Sequence, residues 1–183
     1  MPHVLIQYFP TAYGELILGS FGDRVCLCDW RYRRMRAAVD ARIQRGLNAS
    51  YEEGTSDVIE LAKAQLNEYF AGERTMFDVP LCLVGTDFQQ RVWNALLTVP
   101  FGATETYASL TSKVAEPTAI RAVASANGAN AISIMVPCHR IIGSNGELVG
   151  YAGGLPTKKM LLQLEGVGSH APVPDLFSAV LDG

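Results

Sequence analysis

The sequence has few cysteines and no long apolar run, and both absences narrow the classes of protein that it can encode. Its four cysteines, at positions 26, 28, 82 and 138, are too few and too irregularly spaced for a disulfide framework. This favours a reducing compartment, and we expect a cytoplasmic protein. The apolar stretches are too short for a membrane-spanning helix, so no membrane partner is expected. The N-terminus has no basic segment followed by an apolar one, so we expect no secretory signal.

An excess of charge is also missing. Fifteen Lys and Arg against 18 Asp and Glu give a net charge of −3 over 183 residues. Such a chain lacks the long-range attraction of proteins that coat nucleic acids, so any contact with DNA must be local and use few cations. Apolar residues make up 49% of the chain and charged residues only 18%, which is typical of a folded globular protein.

Residues 1–85 indicate a small sheet accompanied by helices. Three short apolar runs separated by tight turns predict an antiparallel meander, at 4–9, 15–20 and 24–30. Two helices are then expected, from the basic cluster at 31–36 to about Arg45 and from Ser56 or Asp57 to Ala71, with a loop over 47–53 between them. The basic cluster is either a solvated helix face or a phosphate-binding patch, and the former is the favoured interpretation.

After residue 85 the sequence pattern changes to that of short helices. This predicts a second domain over 86–168 and a loose tail over 169–183. Thr86–Gln89 fits a capping box that opens a helix. Short helices over 106–114 and 118–127, joined by a tight turn, suit a helix-turn-helix. A buried strand is predicted over 132–136, and a last helix over 156–165. The fold class expected is therefore α+β.

Cys138 is the residue that most strongly suggests chemistry. It follows Pro137 at the end of the predicted buried strand, His139 is its neighbour, and Glu165 lies on the last helix. An ordinary thiol is mostly protonated near neutral pH, so a nucleophilic cysteine needs a base, and a carboxylate can orient that base. Cys26 and Cys28 could be metal ligands, but two buried strand cysteines are the favoured interpretation, and we expect no metal site and no cofactor.

The sequence around these residues resembles the O6-alkylguanine-DNA alkyltransferases, also called methylated-DNA–protein-cysteine methyltransferases. Pro-Cys-His-Arg at 137–140 is the active-site motif of that family, and the flanking segments VPFGATETYASL, AIRAVASANGAN and GYAGGLPTKKMLLQLEG match as well. The resemblance is dense from Thr86 to Gly166. The first 85 residues match only in layout, as a small sheet with helices like the family's ribonuclease-H-like N-terminal domain.

The resemblance implies a role for each of a set of residues. Cys138 would accept the alkyl group, His139 would act as its base through a water, and Glu165 would orient His139. Asn130 would be the hinge between the recognition helix and the active-site strand. The DNA-binding residues implied are Arg121, which would replace the extruded base in the stack, Tyr107, which would press on the target phosphate, and the small residues Ala119, Ala122 and Ser125. The substrate pocket implied consists of Tyr151, Ile141, Ala152, Lys158 and Asn127.

The function implied is repair of DNA by direct reversal of damage. The alkyl group of O6-alkylguanine in a duplex would pass to Cys138 once the nucleotide is flipped out, with one turnover per molecule. A monomer is expected to act on double-stranded DNA, and O4-alkylthymine is a further candidate substrate. Asn127 and Ser133 stand at pocket positions that are apolar in some relatives, which leaves tolerance for bulky alkyl groups open.

Three other functions are compatible with parts of the sequence, and each leaves a feature of it unexplained. A module that recognises alkylated DNA without repairing it would lack the acceptor cysteine. A thiol hydrolase built on Cys138, His139 and Glu165 would turn over repeatedly and would have no use for Arg121. A purely regulatory helix-turn-helix protein would have no purpose for the Pro-Cys-His-Arg segment.

Overall fold

Alternating apolar residues and tight turns build a sheet at the start of the chain, in a computed structural model that describes residues 2–169. Strands β1 (His3–Thr11), β2 (Gly14–Phe21) and β3 (Arg24–Trp30) pair antiparallel, as predicted. Gly14 and Gly22, in the turns between them, have φ angles of 134° and 61°, which suit glycine. The three strands place Asp29 and Trp30 at the end of the sheet nearest the second half of the chain.

The predicted loop over 47–53 is wrong in its second half. Helix α1 (Arg36–Leu47) ends at Asn48, which is left-handed, and the chain then forms strand β4 (Ser50–Glu53). This strand lies parallel to β1, so the sheet order is β3-β2-β1-β4. The sequence Ser-Tyr-Glu-Glu gave no apolar signal because β4 is an edge strand with a largely exposed surface.

Helix α2 (Asp57–Phe70) covers the sheet and is capped by Ser56, whose Oγ accepts from the Ile59 amide at 3.2 Å. It was predicted within one residue at its C-terminal end. The spacing of Ile59, Ala62, Leu66 and Phe70 predicts an apolar stripe that faces the core. Phe70 is only half-buried, and the fully buried aromatic residue of this helix is its neighbour Tyr69. The Tyr69 hydroxyl reaches the second half of the chain, as described below.

The second half consists mainly of helices, of which the first three pack against one another. Helix α3 (Asp87–Leu96) begins with the predicted capping box between Thr86 and Gln89. Helices α4 (Tyr107–Val114) and α5 (Ile120–Gly128) are joined by a 3-10 turn at Pro117–Ala119, so the predicted helix over 118–127 begins as a 3-10 turn. Helix α6 (Leu155–Leu164) closes this half, and strands β5 (Glu105–Thr106) and β6 (Ile141–Ile142) pair parallel to each other.

The strand predicted over 132–136 does not form. The segment is buried, but only Ile132 makes a bridge, to Cys28, and the chain then turns, with the Val136 amide donating to the Ile132 carbonyl at 3.0 Å. Ile134 has a φ of 73°, a conformation that is costly for a β-branched residue. The apolar run over 132–136 therefore predicted burial correctly but strand geometry wrongly. Its backbone amides and carbonyls form the hydrogen bonds of a tight turn instead of those of a sheet.

One buried cluster joins residues from both sides of residue 85, including Leu16 and Trp30 from the sheet and Trp93 and Val136 from the second half. Cys26 and Cys28 are both buried on β3, as predicted, and burial raises the pKa of Cys26 to about 12. The predicted tail beyond Ser169 lies outside the described residues.

Candidate active site

Cys138 opens a short 3-10 helix, Cys138–Arg140, directly after the buried turn. Its side chain is buried, with the residue only 4% exposed, and its amide donates to the Val136 carbonyl at 2.8 Å. Pro137 cannot donate a backbone hydrogen bond, so the chain changes direction there without leaving an amide unpaired. The turn thus holds the thiol at a fixed place inside the protein.

Asn130 holds that turn together through its side chain. Its Nδ2 donates to the Val136 carbonyl at 2.8 Å and its Oδ1 accepts from the Ile132 amide at 2.9 Å. The residue lies just after α5, where a hinge was predicted. Its side chain also hydrogen-bonds Cys138, which favours the thiolate.

Three side chains meet at the carboxylate of Glu165. His139 Nε2 lies 2.8 Å from Glu165 Oε1, and the Tyr69 hydroxyl donates to the same oxygen at 2.8 Å. Arg140 donates to both carboxylate oxygens, at 2.8 and 2.9 Å. Although burial alone would raise the pKa of Glu165, the hydrogen bonds from His139 and Arg140 lower it to about 2. Glu165 is therefore a permanent acceptor in the physiological pH range.

A permanent acceptor at Nε2 determines the tautomer of His139. The proton lies on Nε2, so Nδ1 carries a lone pair, and Nδ1 has no hydrogen-bond partner among residues 2–169. His139 is completely buried, and burial lowers its pKa although Glu165 opposes that effect. A neutral imidazole with a free acceptor nitrogen is what a base next to a thiol requires.

The Cys138 thiol itself is not acidic. Burial raises its pKa, and the Asn130 hydrogen bond and the Lys158 charge oppose that rise without overcoming it. The sulfur is therefore protonated near neutral pH and becomes a nucleophile only when a neighbouring group takes its proton.

Lys158 is buried and ties the chain around the thiol. Its Nζ donates to the carbonyls of Ile141 at 2.5 Å and of Val149 and Gly150 at 3.2 Å each. These three bonds use all three ammonium protons. Burial lowers the pKa of Lys158 to about 8. Its role in the structure is to hold the 149–150 loop against β6.

A cavity of about 740 Å³ lies between α5 and this loop. Of the predicted pocket and DNA-binding residues, five line it: Tyr107, Arg121, Asn127, Tyr151 and Ala152. Ile141 and Lys158 do not line it, but the hydrogen bonds of Lys158 connect the Ile141 carbonyl to the 149–150 loop, which does. Burial raises the pKa of both Tyr107 and Tyr151. The ring centre of Tyr151 lies 6.4 Å from that of His139, so this wall of the cavity lies beside the residue that follows Cys138.

The outer face of α5 is small and exposed. Arg121, Ala122 and Ser125 are exposed on it, while Val123 and Ala126 face the core. Ala119, in the preceding 3-10 turn, is half-buried. This leaves a smooth surface with a single cation, next to the mouth of the cavity.

Several residues of the site were not predicted from the sequence. Tyr69 and Arg140 complete the Glu165 cluster, and Trp30 donates from Nε1 to the Tyr151 hydroxyl at 3.0 Å. Gly153 allows this approach, because a Cβ there would lie 2.8 Å from the Trp30 ring. Tyr69 and Trp30 come from the first half of the chain, so only the tertiary structure reveals their contribution.

The described part of the chain contains neither a cluster of potential metal ligands nor a membrane-spanning helix. Within residues 2–169, no three His, Cys, Asp or Glu side chains are grouped as metal ligands would be. Across the same range, no helix has the length and apolar character needed to cross a membrane.

Comparison with known proteins places this geometry in context. The family model described as "6-O-methylguanine DNA methyltransferase, DNA binding domain" matches residues 87–167. A methylated-DNA–protein-cysteine methyltransferase of Mycobacterium tuberculosis is 59% identical over 108 residues, which are 59% of this chain and 64% of that protein. The match thus spans less than two thirds of that relative's length.

Two further comparisons extend over most of the chain. The constitutive methylated-DNA–protein-cysteine methyltransferase of Bacillus subtilis is 42% identical over 169 residues, which cover 87% of this chain and 96% of that protein. The crystal structure of Mycobacterium tuberculosis OGT in complex with DNA superposes with a TM-score of 0.74 at 41% identity, covering 91% of this chain and 94% of that one.

Proposed function

Because the chain belongs to the methylated-DNA–protein-cysteine methyltransferase family, we propose that it repairs DNA by taking the alkyl group of O6-alkylguanine onto Cys138. The observation that carries the proposal is a buried thiol, protonated near neutral pH, followed directly in the chain by a buried neutral histidine whose Nδ1 has no hydrogen-bond partner within residues 2–169. A cavity of about 740 Å³, lined by Tyr107, Asn127 and Tyr151, has room for a base. The similarity to a relative crystallised with DNA supports DNA as the partner.

The residues support a displacement in which the thiol proton moves first. The Cys138 proton passes to His139 Nδ1, directly or through one water, and Glu165 stabilises the imidazolium that forms. The sulfur then attacks the alkyl carbon, an S–C bond forms, and the C–O6 bond breaks with its electron pair going to O6. The proton taken from sulfur balances the charge on the guanine, which leaves as the ordinary base. No cofactor enters this balance.

The product explains why one molecule would act once. A thioether on Cys138 has no hydrolysable bond, and His139 has no proton left to take from that sulfur. The protein is consumed in stoichiometric amount by the repair that it performs, which distinguishes the proposal from a thiol hydrolase.

Access to the thiol requires the nucleotide to leave the duplex. A lesion on O6 lies within the base stack, so we propose that the nucleotide flips into the cavity lined by Tyr107, Asn127 and Tyr151. The exposed face of α5 would lie in a groove, and Arg121 would fill the vacated position. Because one copy of the chain holds every group named, a monomer suffices.

The proposal is tested by intact-protein mass spectrometry with peptide mapping, after mixing the protein with a duplex that carries O6-methylguanine. We expect one methyl group per protein, on the peptide containing Cys138, and none with the unmodified duplex or with Cys138→Ala. Cys138→Ala should still bind the methylated duplex. Binding without transfer by the wild type would favour a recognition module, and repeated turnover on an ester or amide would favour a hydrolase. A second duplex carrying O4-methylthymine shows whether that lesion is also a substrate.

Arg121→Ala separates flipping from chemistry. We expect weaker binding to the duplex and slower transfer from it, because one inserted side chain supplies the replacement for the flipped base. Transfer from the free O6-methylguanine base should stay unchanged, because Arg121 is exposed and touches none of the thiol's partners. Unchanged single-turnover rates on the duplex would contradict the role given to Arg121.

A further inference from the structure

Two arginines of the first half of the chain hold the C-terminal end of α5. Arg33 donates to the carbonyl of Gly128 at 2.6 Å and to that of Asn130 at 3.0 Å. Arg42 donates to the carbonyl between them, that of Ala129, at 2.7 Å. Three consecutive carbonyls, which the end of a helix leaves without intrahelical partners, are thus bound by two guanidinium groups from outside the helix.

Both arginines are themselves held in place. Asp29 at the end of β3 accepts from Arg33 at 3.0 and 3.3 Å, from Arg36 at 3.0 Å, and from the Ser133 hydroxyl at 3.2 Å. Arg42 donates also to the Val84 carbonyl at 3.1 Å, and its guanidinium lies 5.2 Å from the Trp93 ring centre. The sequence offered two interpretations of the basic cluster at 31–36, a solvated helix face and a phosphate-binding patch. Arg33 fits neither, because it points inward and binds protein carbonyls.

The backbone of β3 adds to this anchor. The Cys28 amide donates to the Ala131 carbonyl at 2.9 Å, and the Ser133 amide donates to the Cys28 carbonyl at 2.6 Å. Residues 128–133 are thus fixed to the first half of the chain through both backbone and side chains. This segment joins α5, which carries Arg121, to the turn that carries Cys138.

From this arrangement we propose that Arg33 and Arg42 are positioning residues which hold the recognition helix at the correct distance and angle from the acceptor thiol. The inference rests on the proposed function and assigns a task to the first half of the chain. A base flipped by contacts along α5 must arrive with its alkyl carbon in line with the sulfur, and small misplacements of reacting groups are costly. Neither arginine is hydrogen-bonded to Cys138, His139 or Glu165. Arg33 lines the edge of the cavity and its charge opposes the rise that burial causes in the pKa of Cys138, so the thiol should keep its reactivity only where that charge is kept.

The test compares two substrates in three variants. Arg42→Ala removes the bond to Ala129, and Arg33→Lys keeps the charge beside Asp29 while removing the forked contact with two carbonyls. Arg45→Ala is the matched control, because Arg45 lies exposed on the same helix as Arg42 and carries the same charge. Single-turnover transfer to Cys138 is measured from a saturating O6-methylguanine duplex and from free O6-methylguanine base, at a temperature where thermal unfolding shows every variant folded.

We expect Arg42→Ala and Arg33→Lys each to slow transfer from the duplex by roughly 10- to 100-fold. Transfer from the free base should stay unchanged in Arg42→Ala, and in Arg33→Lys it should fall by a much smaller factor than transfer from the duplex, because Arg33 also lines the edge of the cavity. Arg45→Ala should match the wild type on both substrates. An equal fall on both substrates, or no fall on the duplex, would overturn the positioning role. Failure of the wild type to methylate Cys138 from either substrate would instead overturn the proposed function, so the two failures are distinct.

Discussion

Two buried carboxylates, one in each half of the chain, have similar partners and different uses. Asp29 binds Arg33, Arg36 and the Ser133 hydroxyl, and Glu165 binds Arg140, His139 and the Tyr69 hydroxyl. Both therefore join elements that are far apart in sequence. The Asp29 cluster leads to backbone carbonyls, through Arg33. The Glu165 cluster leads to His139 Nδ1, which has no hydrogen-bond partner in the described part of the chain.

The difference shows how one kind of interaction can serve structure or chemistry. Arginine cannot release its proton in a protein, so the Asp29 cluster can fix the positions of its partners but cannot transfer a proton. Histidine can exchange protons near neutral pH, so the Glu165 cluster can fix the positions of its partners and can also take part in proton transfer. Burial raises the pKa of Asp29 although its arginines oppose this, while the pKa of Glu165 is lowered to about 2. The two carboxylates should thus respond in opposite ways to acid.

The largest expected effect comes from neutralising each carboxylate in turn. Glu165→Gln removes the acceptor that keeps the His139 proton on Nε2, so we expect transfer to fall by about 10²- to 10⁴-fold on both duplex and free base. Asp29→Asn leaves the His139 contacts intact, so transfer from free base should stay near the wild-type rate. Single-turnover rates measured per folded molecule make the comparison.

Stability should distinguish these two variants as well. Glu165→Gln replaces a carboxylate that the fold keeps ionised and should lose about 3–5 kcal/mol in the free energy of unfolding by urea. Asp29→Asn should lose less, because burial raises the pKa of Asp29 and the fold therefore favours the ionised form less strongly there. If Asp29→Asn lost free-base activity as completely as Glu165→Gln, the assignment of a structural role to the Asp29 cluster and a chemical role to the Glu165 cluster would be wrong.

Acid should weaken the Glu165 cluster first. His139 has a pKa below its ordinary value of 6.5, and Glu165 has one of about 2 instead of 4.5, so the unfolded state binds protons more readily at both sites. Their stabilising contribution is complete above pH 6.5 and declines as the pH falls, for Glu165 between 4.5 and about 2. Urea unfolding between pH 4.5 and 3 should show a slope that is shallower in Glu165→Gln by up to about 1.4 kcal/mol per pH unit. An unchanged slope would mean that Glu165 is not held ionised.

A single hydroxyl gives the smallest expected effect. Tyr69→Phe removes one bond to Glu165, so the free energy of unfolding should fall by about 1.5–3 kcal/mol and transfer should slow severalfold. Tyr51→Phe is a matched control, because the Tyr51 hydroxyl donates to the Asp40 carboxylate at 2.9 Å in the first half of the chain. It should lose stability and keep its transfer rate. Equal rates in both variants would remove Tyr69 from the account of the site.

Much of the fold could be predicted from local patterns. The turns at Gly14 and Gly22 and the capping box at Thr86 are local signals, and each marks an element that is present. Strand β4 has no such signal, because an edge strand can be polar. The run over 132–136 was misassigned because burial on all sides looks the same in a strand and in a buried turn.

The residues of the site also fall into those that the sequence predicts and those that only the tertiary structure reveals. The motif at 137–140 and the carboxylate on the last predicted helix indicate Cys138, His139 and Glu165, and the resemblance to a family adds Asn130. Tyr69 and Arg33 could not be predicted, because each acts through a contact more than 90 residues away along the chain. A single sequence carries no record of such contacts, and the stripe on α2 pointed to Phe70 instead.

The central claim is that His139 Nδ1 takes the proton from Cys138, and the pH dependence of single-turnover transfer tests it most directly. Wild-type protein and His139→Gln are compared on free O6-methylguanine base, with His3→Gln, an exposed histidine on β1, as control. We expect the wild-type and His3→Gln rates to be flat from neutral pH upward and to fall only well below pH 6.5. In His139→Gln the rate should be lower and should rise about tenfold per pH unit up to the raised pKa of the thiol. Identical profiles for His139→Gln and the wild type would contradict the claim that this histidine is the base.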